Sequence, residues 1–391
     1  MVHLLLVVIY LAFIGLGLPD SLLGAAWPLM YGPMGVPVSW AGGISMIISL
    51  GTVISSLNSD RLTRALGAGK VTVISTAMTM LALFGFSVSR EYWMLCLLAV
   101  PYGLGAGSVD AALNNYVALH YASRHMSWLH CMWGVGASIG PMVLTRALAG
   151  SLGWDAGYRH VALMQLALAA LLFLSLPLWK HSPGEESEAE GAPAPLRLPQ
   201  VLAVPGAKAA LATFFCYCAL EQTAGLWGAS YLNLHWGLSS EEAAAGAGLF
   251  YMGITAGRAV CGFITLKLSD RQMVRLGCGV IGLGMLALAL PLGVGAAKAG
   301  LVLVGVGCAP IFPSLLHATP DNFGAERSQA LVGVQMASAY VGTCLAPPVF
   351  GLLAGWLGTG LLPVYLLTLL AVMAAADRAL CRTVDNARAR A

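Results

Sequence analysis

The sequence predicts an all-α membrane protein: twelve transmembrane helices in two pseudo-symmetric six-helix bundles. Three observations carry that expectation. First, only 9% of the 391 residues are charged, 58% are hydrophobic, and mean hydropathy is +0.80, whereas a soluble domain carries about 25% charged residues. Second, short polar breaks divide the chain into apolar runs long enough to cross a bilayer. Third, the two halves of the chain echo each other.

The apolar runs fall at about 3–31, 38–58, 69–89, 92–119, 125–151, 159–180, 207–235, 242–266, 273–294, 298–319, 327–356 and 360–381. Lipid offers backbone amides no partner, so segments of this kind are helices. The first run starts at Val2 and continues past twenty residues without a small-residue cleavage site. It therefore reads as a membrane span rather than a signal peptide. One stretch, His181 to Pro205, is too polar and Pro-rich to span, with four glutamates between Glu185 and Glu190 followed by Pro193, Pro195 and Pro199. It divides the chain into an N-terminal bundle (1–180), a cytoplasmic linker (181–205) and a C-terminal bundle (206–391). With Met1 in the cytoplasm, the inside breaks and tail hold fifteen Lys and Arg and the outside breaks four, with Arg258 left within a helix. The positive-inside rule then places both termini in the cytoplasm, and an inner (plasma) membrane is the economical location.

The internal echo is carried by helix-packing residues. At an offset of 206, Gly51 meets Gly257, Gly136 meets Gly342 and Pro141 meets Pro347; at 202, Gly103 and Gly105 meet Gly305 and Gly307. Two parallel halves of this kind imply a central cavity at their interface.

Composition also excludes functions. A net charge of +3 without a basic patch gives no footing for nucleic acid. The nine cysteines are scattered singly through apolar segments, apart from Cys216 and Cys218. That is the pattern of small buried hydrophobes, so neither a metal site nor a cofactor is expected. Intramembrane aspartyl proteolysis would need a Tyr-Asp and a Gly-x-Gly-Asp element. The nearest strings, ending at Asp20 and Asp110, are wrongly spaced. No enzyme is expected.

Function is expected to lie with three acids. Asp20, Asp110 and Glu221 stand inside long apolar runs, while the other fourteen acidic residues are assigned to polar breaks, loops or the tail. Each ionisable group at membrane depth costs roughly 2.5–3.5 kcal/mol, and the usual reason for it is a route for a proton, an ion or a polar solute. Asp20 follows Pro19 in a glycine-rich stretch, about 24 Å up the first span and so in its outer half. Two roles suit it: capping a broken helix, or coupling. Asp110 shares a helix face with Asn114, four residues on, and Asn115 follows. His130 and Trp133 open the fifth span near the Asp110 level, where an Asp110–His130 relay and a histidine satisfied at the interface are both open. Glu221 and Gln222 sit mid-way along the seventh span, with Trp227 and Tyr231 beyond them. An acid and an amide beside aromatic faces suit a polyol, although aromatic side chains also fill cores. Gln335 in the eleventh span is a further polar candidate. The cytoplasmic turns holding Asp60, Arg61 and Arg64 in one half and Asp270 and Arg271 in the other are expected to meet across the halves and close the inner side. Arg258 needs a carbonyl or acidic partner.

Together these residues resemble the major facilitator superfamily, whose loop motif between helices two and three is similar to Asp60-Arg61-x-x-Arg64. More narrowly, the chain resembles the fucose–galactose–glucose:proton symporter group: Asp20 matches its first-helix aspartate, and Asp110 with Asn114 matches its acid-x-x-x-Asn pattern, with Asp in place of Glu. Tyr217-x-x-x-Glu221 and Ile311-Phe-Pro313 resemble segments common in that group's relatives. The resemblance implies the major facilitator fold, with Asp20 and Asp110 as proton-linked carboxylates and Asp110 also touching substrate. The expected function is proton-coupled symport of a monosaccharide or related polar solute by a single-chain, monomeric carrier in the bilayer. An exporter of drugs, metabolites or glycolipids, a sodium-coupled sugar carrier and a non-transporting sensor are the alternatives.

Overall fold

The computed structural model describes residues 2–121, 123–179, 198–265 and 267–389. In the first half the helices are α1 (Val2–Asp20), α2 (Leu22–Met30), α3 (Ala41–Leu66), α4 (Ala68–Val88), α5 (Tyr92–His120), α6 (Ser123–Ala149) and α7 (Trp154–Ser175). The rest of the chain forms α8 (Leu198–Ala203), α9 (Ala207–Leu234), α10 (Ser240–Ile264), α11 (Asp270–Ala289), α12 (Val294–Cys308), α13 (Ile311–His317), α14 (Thr319–Phe323), α15 (Ala325–Leu357) and α16 (Leu362–Arg388). No strand occurs among the described residues.

Among these residues, ten helical segments are long and apolar enough to cross a membrane. Helices α6 and α9 are not among the ten, because polar side chains interrupt them: His130 and Arg146 in one, Glu221 and Gln222 in the other. These two carry much of the site described below. Large apolar side chains point outward in mid-helix, with Leu81, Phe173 and Leu283 each 60% exposed or more. That is the arrangement lipid as solvent asks for.

Two expected spans are broken. The first divides at Ser21, where α1 gives way to α2. Pro19 has no N–H to give the Gly15 carbonyl four residues back, and the Gln165 side-chain amide of α7 donates to that carbonyl instead. The tenth divides after Cys308 and resumes at Ile311. At other points the chain is more helical than expected. The stretch from Asp60 to Arg64 is not a turn but the end of α3, and the reversal into α4 is confined to Gly67, whose φ of 82° a side chain would resist. Of the expected linker, residues 180–197 lie outside the described residues. Its remainder includes α8, whose Val201 is buried among Ala207, Ala210, Leu331 and Leu380. That segment is docked rather than extended, because Val201 brings an apolar side chain to an apolar seam.

The glycine echo has a physical meaning. A Cβ on Gly103 would stand 2.2 Å from the Ile48 carbonyl oxygen, and one on Gly305 would stand 2.1 Å from that of Phe250. Ile48 and Phe250 are themselves separated by the same 202 positions as the glycines, so one helix crossing is built twice. Gly136 meets the Ile14 carbonyl and Gly342 the Phe215 carbonyl in the same way, pairing α6 with α1 and α15 with α9. Backbone contact this close admits only glycine and supplies packing where no hydrophobic effect drives helices together.

The halves meet where α6 packs on α10, α3 on α15, and α2 on α9 and α10. At the end of the bundle beyond the α1–α2 break the contact is backbone to backbone. A Cβ on Gly24 would lie 2.7 Å from the carbonyl oxygens of both Gly225 and Leu226, and one on Gly42 would lie 2.5 Å from the Pro348 Cα.

Candidate functional site

Asp20 ends α1 at the break, and its carboxylate is held from two other helices. The Tyr102 hydroxyl of α5 donates to one oxygen at 3.1 Å, and the Trp133 indole N–H of α6 donates to the other at 2.8 Å. Tyr10 of α1 bonds His125, in the first turn of α6, and ten residues on Asp20 stands level with Trp133 of the same helix.

Asp110 lies further along α5 and close enough to Asp20 for their charges to interact. The Asn114 amide donates to an Asp110 carboxylate oxygen at 2.9 Å and to its carbonyl at 3.0 Å. Asn114 therefore fixes the acid in place rather than presenting its N–H groups to a solute. Tyr340 of α15 interacts with Asp110 and Ser56 from the opposite half. The Asn115 side chain lies outside the described ones.

The structure does not bring His130 to Asp110. Its ring meets the edge of Phe13, with centroids 5.9 Å apart, and its backbone carbonyl accepts from Arg258 at 3.3 Å. Among the described residues no hydrogen bond joins it to Asp110. The expected relay fails because the imidazole lies on the α1–α10 side of α6.

Glu221 and Gln222 are half-buried on α9. Glu221 lies beside Tyr217, and its charge reaches Tyr251 of α10, which also interacts with Asp20. Tyr251 thus links the acids of the two halves. Trp227 and Tyr231 do not join this group. Trp227 is fully buried against Phe350 and donates to the Pro347 carbonyl at 2.9 Å; Tyr231 donates to the Leu288 carbonyl at 2.6 Å and stacks on His235. Both have their polar atoms engaged by backbone inside the second bundle, so they are core. Gln335 is also buried, and its side-chain oxygen accepts from Thr319 at 3.0 Å. It lines a small cleft with Asp270, Arg271 and Asp377, away from Glu221.

In the second half the turn residues have partners of their own. Asp270 pairs with His317 at 2.8 Å and Arg271 with Asp385 at 2.7 Å, both within the second half. Asp60, Arg61 and Arg64 have side chains outside the described ones. Asp377, inside the expected run 360–381 but not counted among its embedded acids, is buried in α16 beside the Arg271 and Arg275 charges. Helix α16 runs on to Arg388, which carries the acid into the packed bundle.

Sequence reasoning missed Tyr102, Tyr251, Tyr340 and Gln165. Only Gln165 left a signal, as the one amide in the apolar run from Trp154 to Ser175. The tyrosines carry none, since tyrosine is ordinary in such helices. Among the described residues no cluster of His, Cys, Asp and Glu could hold a metal ion.

The sequence profile of the Major Facilitator Superfamily matches residues 9–347. The chain belongs to that superfamily. Its fold is therefore twelve helices in two pseudo-symmetric bundles, into which α1 with α2 and α12 with α13 fit as single interrupted spans. Members of this superfamily are transporters rather than enzymes, working on small solutes from within the lipid bilayer. The chain is also 26% identical over 342 residues to the uncharacterized transporter y4wD of Sinorhizobium fredii, a match that covers 84% of this chain and 85% of that one. As a major facilitator protein, this chain is a multi-pass membrane transporter.

Proposed function

We propose that the protein is a proton-coupled symporter of a monosaccharide or related polar solute, working by alternating access between bundles 1–180 and 206–391 joined by the segment 181–205. Both termini are cytoplasmic, the membrane is an inner or plasma membrane, and one chain is the working unit. The observation that supports this most is Asp20, a carboxylate in mid-bundle held by neutral donors rather than by a cation. Neutral donors leave an acid free to take and lose a proton, whereas a fixed salt bridge would keep it charged. Asp110 and Glu221 extend the acidic route on either side of it.

Protonation removes the cost of facing the acids against apolar walls, and so changes which arrangement of the bundles is favoured. The glycine contacts at Gly24 and Gly42 form the seal on the outer side in this conformation, and rocking the bundles parts them. In proteoliposomes, an imposed proton gradient should drive solute accumulation. Asp20→Asn should abolish that accumulation while leaving exchange of solute across the membrane intact. Accumulation at the wild-type level in Asp20→Asn would reject the coupling role, and accumulation driven only by a sodium gradient would replace the proton with sodium.

A further inference from the structure

Arg258 is a cation within a membrane span that forms no ion pair among the described residues. It lies in α10 six residues before its end, and the chain reverses only beyond Ile264. Its guanidinium carbon stands 5.2 Å from the ring centroid of Trp133, the same indole that donates to Asp20. One terminal nitrogen, Nη1, donates to the His130 carbonyl at 3.3 Å. The Nε is buried and has no hydrogen-bond partner among the described residues. No carboxylate among them forms an ion pair with Arg258 within 4 Å; the pairs present are Arg159–Asp155, Arg271–Asp385 and His317–Asp270.

An embedded charge of this kind is costly, and one held without a direct ion pair points to a functional site. The arrangement of its nitrogens says what it awaits. With Nη1 turned to His130, the Nε and Nη2 N–H groups remain along one edge of the planar fork. Two parallel N–H groups on that edge match the two oxygens of a carboxylate. Trp133 lies beneath the guanidinium carbon within cation–π range.

We infer that Arg258 binds a carboxylate of the transported solute, so that the substrate is a monoanionic sugar acid rather than a neutral sugar. This deepens the transport reading above and rests on it. Glu221 stands on the same side: its charge and that of Arg258 both reach Tyr217 and Cys308. A polyol chain anchored by its carboxylate at Arg258 therefore runs toward Glu221 and Gln222, whose acceptors suit hydroxyls. With Asp20, Asp110 and Glu221 protonated, the single guanidinium balances one negative charge on the solute and not the two of a phosphate dianion.

The test uses purified full-length protein with D-glucose, D-gluconate, D-glucuronate and D-glucose 6-phosphate as probes. Thermal stabilisation reports binding, and uptake into proteoliposomes reports transport. Gluconate or glucuronate should stabilise the protein and be taken up, with glucose a poor competitor. Arg258→Gln should weaken binding of the acid at least roughly tenfold, the loss expected when charge-assisted bonds go, without changing the melting temperature in the absence of solute. Arg258→Lys keeps the charge but not the fork and should show an intermediate loss; it also serves if Arg258→Gln does not fold. Glucose bound and carried equally well by wild type and Arg258→Gln would overturn the inference and leave the transport reading standing. Response to glucose 6-phosphate alone, or to none of the four, would also overturn it. Arg258-dependent binding of the acids without any flux would keep the inference and sink the transport reading.

Discussion

Pro19 and Gln165 are predicted to be energetically coupled, because one creates the need the other meets. Proline at position 19 leaves the Gly15 carbonyl without its helical donor, and the Gln165 amide reaches from α7 to supply one. Gln165 is 2% exposed, so its amide meets that carbonyl away from bulk solvent. Gln165→Leu should therefore cost about 1–3 kcal/mol, the desolvation penalty of a buried acceptor left unpaired. In a Pro19→Ala background residue 19 regains its N–H, the carbonyl has a donor on its own helix, and the same change should cost less by about 1 kcal/mol or more. Coupling of that size is ordinary for residues that share a partner. Equilibrium unfolding of the four proteins in detergent, wild type, each single variant and the double, measures it directly. Equal cost of Gln165→Leu in both backgrounds would refute the reasoning, since it would mean that Gln165 stabilises the bundle by something other than the carbonyl freed by Pro19. Uptake adds a second readout: the break places Asp20 against Trp133, so Pro19→Ala should slow transport even where it leaves stability unharmed.

Two further outcomes are expected. Gly103→Ala and Gly305→Ala should each lower stability by about 1–3 kcal/mol, the usual cost of overpacking, and by similar amounts, because their Cβ atoms would meet carbonyl oxygens at 2.2 and 2.1 Å; Gly279→Ala, with open space around it, should be neutral or better in the same melts. The two tryptophans Trp133 and Trp227 should separate. Trp133→Phe, losing the donor to Asp20, should lower the kcat/KM of coupled uptake roughly tenfold at unchanged stability, whereas Trp227→Phe, losing the bond to Pro347, should lower stability by about 1 kcal/mol with KM unchanged; a KM effect from Trp227 would return it to the site.

The sequence by itself determined the solvent, the helical architecture and the acids. Those follow from terms that are local or additive: hydropathy accumulates along a segment, lipid leaves backbone amides no choice but a helix, and an acid in an apolar run is conspicuous wherever it points. The glycine repeat was legible for a related reason, since only a residue without a side chain lets two backbones meet, and the need recurs at the equivalent crossing. Partnership was decided by the tertiary structure alone. Whether Trp133 or Trp227 reaches an acid depends on which way each α-helical face turns once the bundle is packed, and the two are indistinguishable along the chain. Asp270 and Arg271 pair with His317 and Asp385, residues 47 and 114 positions away that no spacing along the chain connects to them. Asp377 lies inside the expected run 360–381, but only the packing of α16 shows it to be a buried acid. Tyr102 became a partner of Asp20 only because the α1 break and α5 bring residues 82 positions apart within 3.1 Å. Hydrogen bonds and charge pairs act over a few ångströms, and such distances between helices are set by packing rather than by order in the chain.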